Sequence, residues 1–313
     1  MINLLKKFKK ALHNSTFAVV YKTSNYIYLT DFKIKIRIAQ SSSYINDLFD
    51  PLDDFTCYKY VDLLKGKTTI LENCLNKNSL FEEFLNIPVF SNLSNLPRIK
   101  LSDDGYREVT QNAFIYDGYL CLSDGTYLLR HELPENNKKD VKLNIPNSIW
   151  NLFAKFDYIK TKDRKVQIFG LLSKNVSISI EYETLFYLDS NIDMLKNISK
   201  CLDTCDDGTI FDFTDIYKLN LSTKKAENLL KVTDGLISIK NLTFKYTKEL
   251  IFNADLKEKV RSFAVDYFYL NKFKKLFTCS NLNTVSRLSS NKPYYITLQQ
   301  GSNALILACF WEF

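Results

Sequence analysis

One recurrence constrains this chain more than any other feature: a short amphipathic helix followed by a run of strands returns along its length. Apolar residues at helical spacing mark helices over 1–13 (Ile2, Leu4, Leu5, Phe8, Ala11, Leu12) and 146–156 (Ile149, Trp150, Leu152, Phe153, Phe156). They mark two more over 191–202 (Ile192, Leu195, Ile198, Leu202) and 266–277 (Phe268, Leu270, Phe273, Leu276). Pro146 suits a first helical position, and Asp189-Ser190 supplies cap candidates for the third helix. Between helices the pattern shifts to period two. Ile34, Ile36 and Ile38 alternate with Lys33, Lys35 and Arg37, which reads as a strand with one wet, basic face. The second and third helices lie 35 residues apart, and 36 residues follow the fourth. A half-unit of one helix and a few strands therefore repeats, and the fold class is α+β.

The spacing breaks once. The first two helices lie 133 residues apart, against 64 for the third and fourth, so 41–112 reads as an insertion. The expected organisation is a domain over 1–183 carrying that insertion and a second over 184–313. A three-domain arrangement requires two further helices within 41–112.

Most reactive chemistry is excluded early. The two His residues, His13 and His131, have no nucleophile motif beside them, and no phosphate-cradling or metalloprotease motif is present. The acidic pairs Asp53-Asp54, Asp103-Asp104 and Asp206-Asp207 sit in polar turns that share no flanking strand pattern. Seven Cys residues are scattered without a CxxC pair, so free thiols are expected, with no metal site and no disulfide framework. No catalytic residue, cofactor or metal is expected. The longest apolar run, 304–311, is far short of the ~20 residues that span a bilayer, and 1–10 does not read as a signal peptide. A protein of the cytoplasm, away from membranes, is the expectation.

The formal charge is +7, and only seven of the 42 basic residues are Arg. Lys is a point charge without the fork that recognises one partner geometry, so a Lys-rich surface suits loose contact with phosphates. Lys6, Lys7, Lys9, Lys10, Lys155, Lys196, Lys200, Lys272, Lys274 and Lys275 lie on or beside the four helices, off their apolar stripes.

Four stretches resemble the DNA polymerase sliding clamps. Asn3-Leu-Leu-Lys-Lys-Phe-Lys-Lys10, with the strands up to Tyr28-Leu-Thr-Asp-Phe-Lys-Ile-Lys-Ile-Arg37, is similar to a clamp's opening helix and first strands. Val141-Lys-Leu-Asn-Ile-Pro-Asn-Ser-Ile-Trp-Asn-Leu-Phe153, with Val166-Gln-Ile and Asn175-Val-Ser-Ile-Ser-Ile180, resembles a domain-closing half. Phe186-Tyr-Leu-Asp-Ser-Asn-Ile-Asp-Met-Leu-Lys-Asn-Ile198 resembles the opening of the next domain. Phe263-Ala-Val-Asp-Tyr-Phe-Tyr-Leu-Asn-Lys-Phe273, Lys292-Pro-Tyr294 and the closing strand are similar to the last half-domain, and Tyr116-Asp-Gly-Tyr119 resembles a bacterial ATDGH-type stretch.

The resemblance implies curved antiparallel sheets with helices on their inner face, six domains closing a ring around duplex DNA. Two-domain subunits close as a homotrimer, the form the four helices favour, and three-domain bacterial subunits close as a dimer. The Lys residues above would face the DNA. DNA polymerase and a clamp loader would dock by linear peptides in a pocket walled by Leu29, Phe32, Tyr182, Leu185, Phe310, Trp311 and Phe313. The long 41–112 stretch and the Trp-Glu-Phe ending depart from the family and fit a virus- or phage-encoded member. Two other readings are a non-ring clamp-fold accessory protein that binds DNA, and a β-rich viral structural or interaction protein.

Overall fold

The computed structural model describes residues 1–39, 43–72, 81, 90–91, 93, 96, 112–123, 126–133, 141–184, 209–218, 229–233, 236–239, 242–245, 262–286 and 293–308. The chain opens with α1 (Ile2–Phe8), β1 (Val19–Lys22), β2 (Tyr26–Thr30), β3 (Lys35–Ala39) and α2 (Ser43–Phe49). Next come β4 (Cys57–Lys59), α3 (Tyr60–Leu63), β5 (Ile70–Leu71), β6 (Asn112–Tyr116), β7 (Tyr119–Ser123) and β8 (Tyr127–Glu132). They are followed by β9 (Leu143–Pro146), α4 (Asn147–Trp150), β10 (Lys155–Lys162), β11 (Lys165–Ser173) and β12 (Val176–Glu183). The chain continues with β13 (Thr209–Asp212), α5 (Thr214–Tyr217), β14 (Leu229–Thr233), β15 (Leu236–Ile239) and β16 (Leu242–Lys245). It closes with β17 (Ser262–Asp266), α6 (Tyr267–Lys272), β18 (Cys279–Ser286), β19 (Pro293–Gln300) and β20 (Asn303–Ala308).

A strand, a short helix and three strands recur as β9-α4-β10-β11-β12, β13-α5-β14-β15-β16 and β17-α6-β18-β19-β20. Pairing repeats as well as order. Three of the strands that lead into a helix lie antiparallel on the first strand of the preceding triple, β4 on β1, β9 on β6 and β17 on β14, whereas β13 pairs with β18.

The chain divides into two compact units, Met1–Asp104 with Gln111–Gly118 and Leu133–Phe186, and the remainder. The β7–β8 hairpin, within the span expected for the first domain, groups with the second unit.

In the first unit eight antiparallel strands run in the order β10-β11-β12-β3-β2-β1-β4-β5. Register places Ile159, Ile168, Ile180, Ile36, Leu29, Val20 and Tyr58 in one transverse row. All seven are buried. Each aliphatic side chain so buried contributes about 1.5–3 kcal/mol, and a one-residue slip would turn the row outward.

The opposite face is not the wet, basic surface expected from Lys33, Lys35 and Arg37. One row there runs Lys160, Gln167, Glu181, Lys35, and the next runs Tyr158, Phe169, Ser179, Arg37, Tyr28, Tyr21. Lys35 pairs with Glu181 at 2.9 Å, and Gln167 Nε2 donates to the other carboxylate oxygen at 2.8 Å. The Arg37 guanidinium lies 4.5 Å from the Phe81 ring centre and 4.6 Å from that of Tyr26. Phe81, Phe90, Leu93 and Leu96 are buried, and Phe90 exchanges both backbone hydrogen bonds with Ile159. Residues within 41–112 thus belong to the core, and Phe81 covers Arg37 and Phe169 on the face the alternation had left to water. Two helices, α2 and α3, and strand β4 also fall within 41–112.

Helices are shorter than their apolar stripes. Beyond Phe8 the chain turns, although Ala11 and Leu12 stay buried. After Trp150 it turns into β10, because Phe153 and Phe156 pack on each other at 4.8 Å, and Phe156 on Trp150 at 4.6 Å, from a turn and a strand. Gly170 allows that strand in: a β-carbon there would run into the Lys155 carbonyl. In α6 the Asp266 side chain caps the helix by accepting from Phe268 N at 2.9 Å, and buried Phe273 and Phe277 lie past its end.

In the second unit the order β13-β18-β19-β20-β8-β7 forms one sheet, and β16-β15-β14-β17 forms another. Leu305 and Leu307 on β20 face Leu129 and Tyr127 on β8, and all four are buried.

Candidate nucleic-acid interface

Among the described residues a basic surface starts at α1. Leu4, Leu5 and Phe8 are buried, and the 3.6-residue period turns Lys6 and Lys7 to solvent, with Lys9 and Lys10 exposed in the turn that follows. Placing Lys6 and Lys7 in the last turn also complements the helix dipole.

Beside α1 lies α3, a neighbour the sequence pattern did not announce. The Tyr60 hydroxyl donates to the Leu5 carbonyl at 2.9 Å, and burial pushes the phenol up to about 12. Helix α3 ends through Gly66 at φ 76°, where Lys65 N and Lys67 N both donate to the Asp62 carbonyl at 2.9 Å. That left-handed stop needs glycine, and a β-carbon there would stand 4.0 Å from Ile2 on α1. The result presents Lys65 and Lys67, both exposed, on the turn packed next to the Lys-bearing helix. Leu63-Leu64-Lys65-Gly66-Lys67, an apolar pair followed by a glycine stop, is the signal that would have found it.

Other expected lysines separate. Lys155 is exposed but starts strand β10, with Asp157 at 3.8 Å, so it does not belong to a helix face. Lys272 is half-buried on α6, donates to the Tyr127 hydroxyl at 3.3 Å and lies 4.5 Å from that ring's centre. Lys274 and Lys275 are exposed in the turn after α6.

Of the expected peptide pocket, Leu29 and Tyr182 are core residues, and the Tyr182 hydroxyl donates to the Asn144 carbonyl at 2.8 Å. Phe32 is exposed. Lys196, Lys200, Leu185, Phe310, Trp311 and Phe313 lie outside the described residues. Among the described residues no His, Cys, Asp and Glu cluster could hold a metal ion, and no helix is long and apolar enough to cross a membrane.

No protein-family model matches the sequence, and no curated protein matches it. Solved structures do. A Helicobacter pylori beta clamp bound to a DNA ligase peptide superposes with a TM-score of 0.55 at 12% identity, over 99% of this chain and 97% of that one. A putative DNA polymerase III beta subunit from Eubacterium rectale gives 0.56 at 12%, over 98% and 96%. The DNA polymerase III beta subunit from Borrelia burgdorferi gives 0.55 at 12%, over 100% and 97%. The chain has the sliding-clamp fold. Its antiparallel sheets and recurring strand–helix–triple therefore belong to a known clamp architecture, spanned nearly end to end.

Proposed function

We propose that this chain is a DNA sliding clamp, a non-catalytic processivity factor that encircles duplex DNA and tethers a polymerase and a clamp loader through their peptides. The observation that carries this reading is the paired basic surface of α1 and the α3 turn on a chain of clamp fold. Lys6, Lys7, Lys9, Lys65 and Lys67 are point charges without base-reading geometry, which suits a protein that must hold DNA and still move along it. Lys10, Lys196, Lys200, Lys274 and Lys275 extend the set, and Lys155 and Lys272 contribute less. A peptide site at Leu185, Phe310, Trp311 and Phe313 is part of the same proposal.

Helices α2 and α3 inside 41–112 meet the condition for a three-domain subunit, so a ring of two chains is favoured over a trimer of two-domain chains. Light scattering tests this directly: twice 36.5 kDa, stable on dilution, is expected. A species of three chains would restore the two-domain trimer, and a monomer at every concentration would leave the non-ring accessory protein. Function is tested by loading the chain on nicked circular duplex and then linearising it. Retention lost on linearisation is expected, and Lys6→Glu with Lys65→Glu should speed loss from the intact circle. Equal retention on circular and linear DNA would refute encirclement.

A further inference from the structure

Two phenylalanine rings project from one end of the first unit's sheet, and the chain is built to hold them there. Phe17 is 68% exposed and Phe32 49%. Val19 pairs with Thr30, so Phe17, two residues before β1 begins, and Phe32, two residues after β2 ends, leave the sheet at the same end. Phe32 has φ 71°, a conformation unfavourable for any side chain with a β-carbon. Its turn imposes this: Asp31 Oδ1 accepts from Lys33 N at 3.2 Å and Ile34 N at 2.9 Å, while Thr30 Oγ1 accepts from Phe32 N at 2.9 Å. Asp31 Oδ2 accepts from Asn14 N at 2.7 Å and so ties this turn to the one that carries Phe17. Asn14 Oδ1 in turn accepts from Thr16 N at 3.1 Å.

The carboxylate of Asp31 is buried and occupied by backbone N–H groups, so the exposed charge at this end is basic. Lys33 is exposed, with its ammonium donating to His13 Nε2 at 3.2 Å.

We propose that this end of the sheet binds single-stranded nucleic acid, with bases stacking on Phe17 and Phe32 and phosphates meeting Lys33. Duplex DNA offers no free base faces, since its bases already stack on one another. A peptide needs a groove or an open strand edge. These rings project rather than line a cleft, and β1 and β2 are both interior strands, bounded by β4 and β3. A nucleobase needs only a ring face and a nearby cation. The site is distinct from the helical lysines and does not depend on ring closure.

The molecule contains its own control. Phe55 is 71% exposed at φ 61°, but it lies at the other end of β1, where Lys22 bridges to Asp54, and it follows two acidic residues, Asp53 and Asp54. The test is fluorescence anisotropy of the full chain with a labelled oligothymidylate of ~20 nucleotides at low salt. Phe17→Ser and Phe32→Asn should each weaken binding about fivefold or more, the loss of one stacked base. Asn tolerates the left-handed backbone, so the fold is kept. Phe32→Trp should hold wild-type affinity and Phe55→Asn should change nothing. The proposal is overturned if the Phe17→Ser/Phe32→Asn double variant binds within twofold of wild type, or if Phe55→Asn weakens binding equally. It is also overturned if the double variant loses an acidic, aromatic-bearing peptide but keeps the oligonucleotide. Retention on nicked circular duplex, run in parallel, should be unchanged in the double variant, so failure here leaves encirclement standing and the converse also holds.

Discussion

Replacing Glu181 by Leu probes the covered face of the first sheet. In the folded chain this carboxylate is 4% exposed, holds the Lys35 ammonium at 2.9 Å and accepts from Gln167 Nε2 at 2.8 Å. Leucine fits the space but removes both contacts. Lys35, whose side chain is 12% exposed, loses its carboxylate, and the fully buried Gln167 amide loses that acceptor. Breaking a buried ion pair costs about 3–5 kcal/mol, and a buried amide deprived of its acceptor about 1–3. Burial of the leucine returns about 1.5–3, so a net loss of about 3 kcal/mol is expected. Adding Lys35→Met removes the ammonium that faced the carboxylate and should bring stability back to within about 1 kcal/mol of wild type. Urea titration followed through Trp150, which is buried in the same unit, reads this transition. A single variant less than about 1 kcal/mol below wild type, or a double variant no better than the single, would refute the β3–β12 register that places residue 35 opposite 181.

Other expectations are checked with the same preparations. Tyr60→Phe removes the hydroxyl that joins α3 to α1 and strands the Leu5 carbonyl, so stability should fall by about 1–2 kcal/mol in the urea titration. For His131, burial holds the imidazole below its usual 6.5, against the smaller raising effects of Asn303 and Glu132. The unfolded chain then takes up a proton before the folded one. Stability should fall as pH drops from 6.5 through the lowered folded value and level off below it, and His131→Gln should flatten that slope in melting curves; an identical slope would refute the assignment. Deleting 310–313 should abolish binding of polymerase-derived peptides and leave circular dichroism unchanged, whereas an unfolded product would assign those residues to the core.

Much of the fold was legible because its signals are local. The α1 stripe of Leu4, Leu5 and Phe8 and the helix that starts near 266 are readable over a few residues. What escaped depends on distant partners. Lys35 and Arg37 alternate with isoleucine just as a solvated edge would, and only Phe81, Glu181 and Phe169, far along the chain, show that face to be covered. Trp150, Phe153 and Phe156 keep helical spacing although a turn and a strand carry the last two, since aromatic rings can converge from mixed backbone. Strands of two or three residues, Ile70–Leu71 and Cys57–Lys59, are too short to establish a period, so the elements within 41–112 were not legible. The exposed lysines of α1 were found at once, whereas Lys65 and Lys67 waited on a four-residue helix.

The pairing of β20 with β8 has a consequence for synthesis. Strand β7 covers one edge of β8 as soon as the hairpin forms, but the other edge meets its partner only when Asn303–Ala308 emerges. At about 5–20 residues per second that edge stays open on the ribosome for roughly ten to thirty-five seconds. It presents Tyr127, Leu128 and Leu129 beside Arg130 in extended form, the kind of template on which nascent chains mispair. A ribosome stalled near residue 300 would therefore hold a chain whose β8 edge is open to another nascent chain, and that edge would close only once β20 emerges.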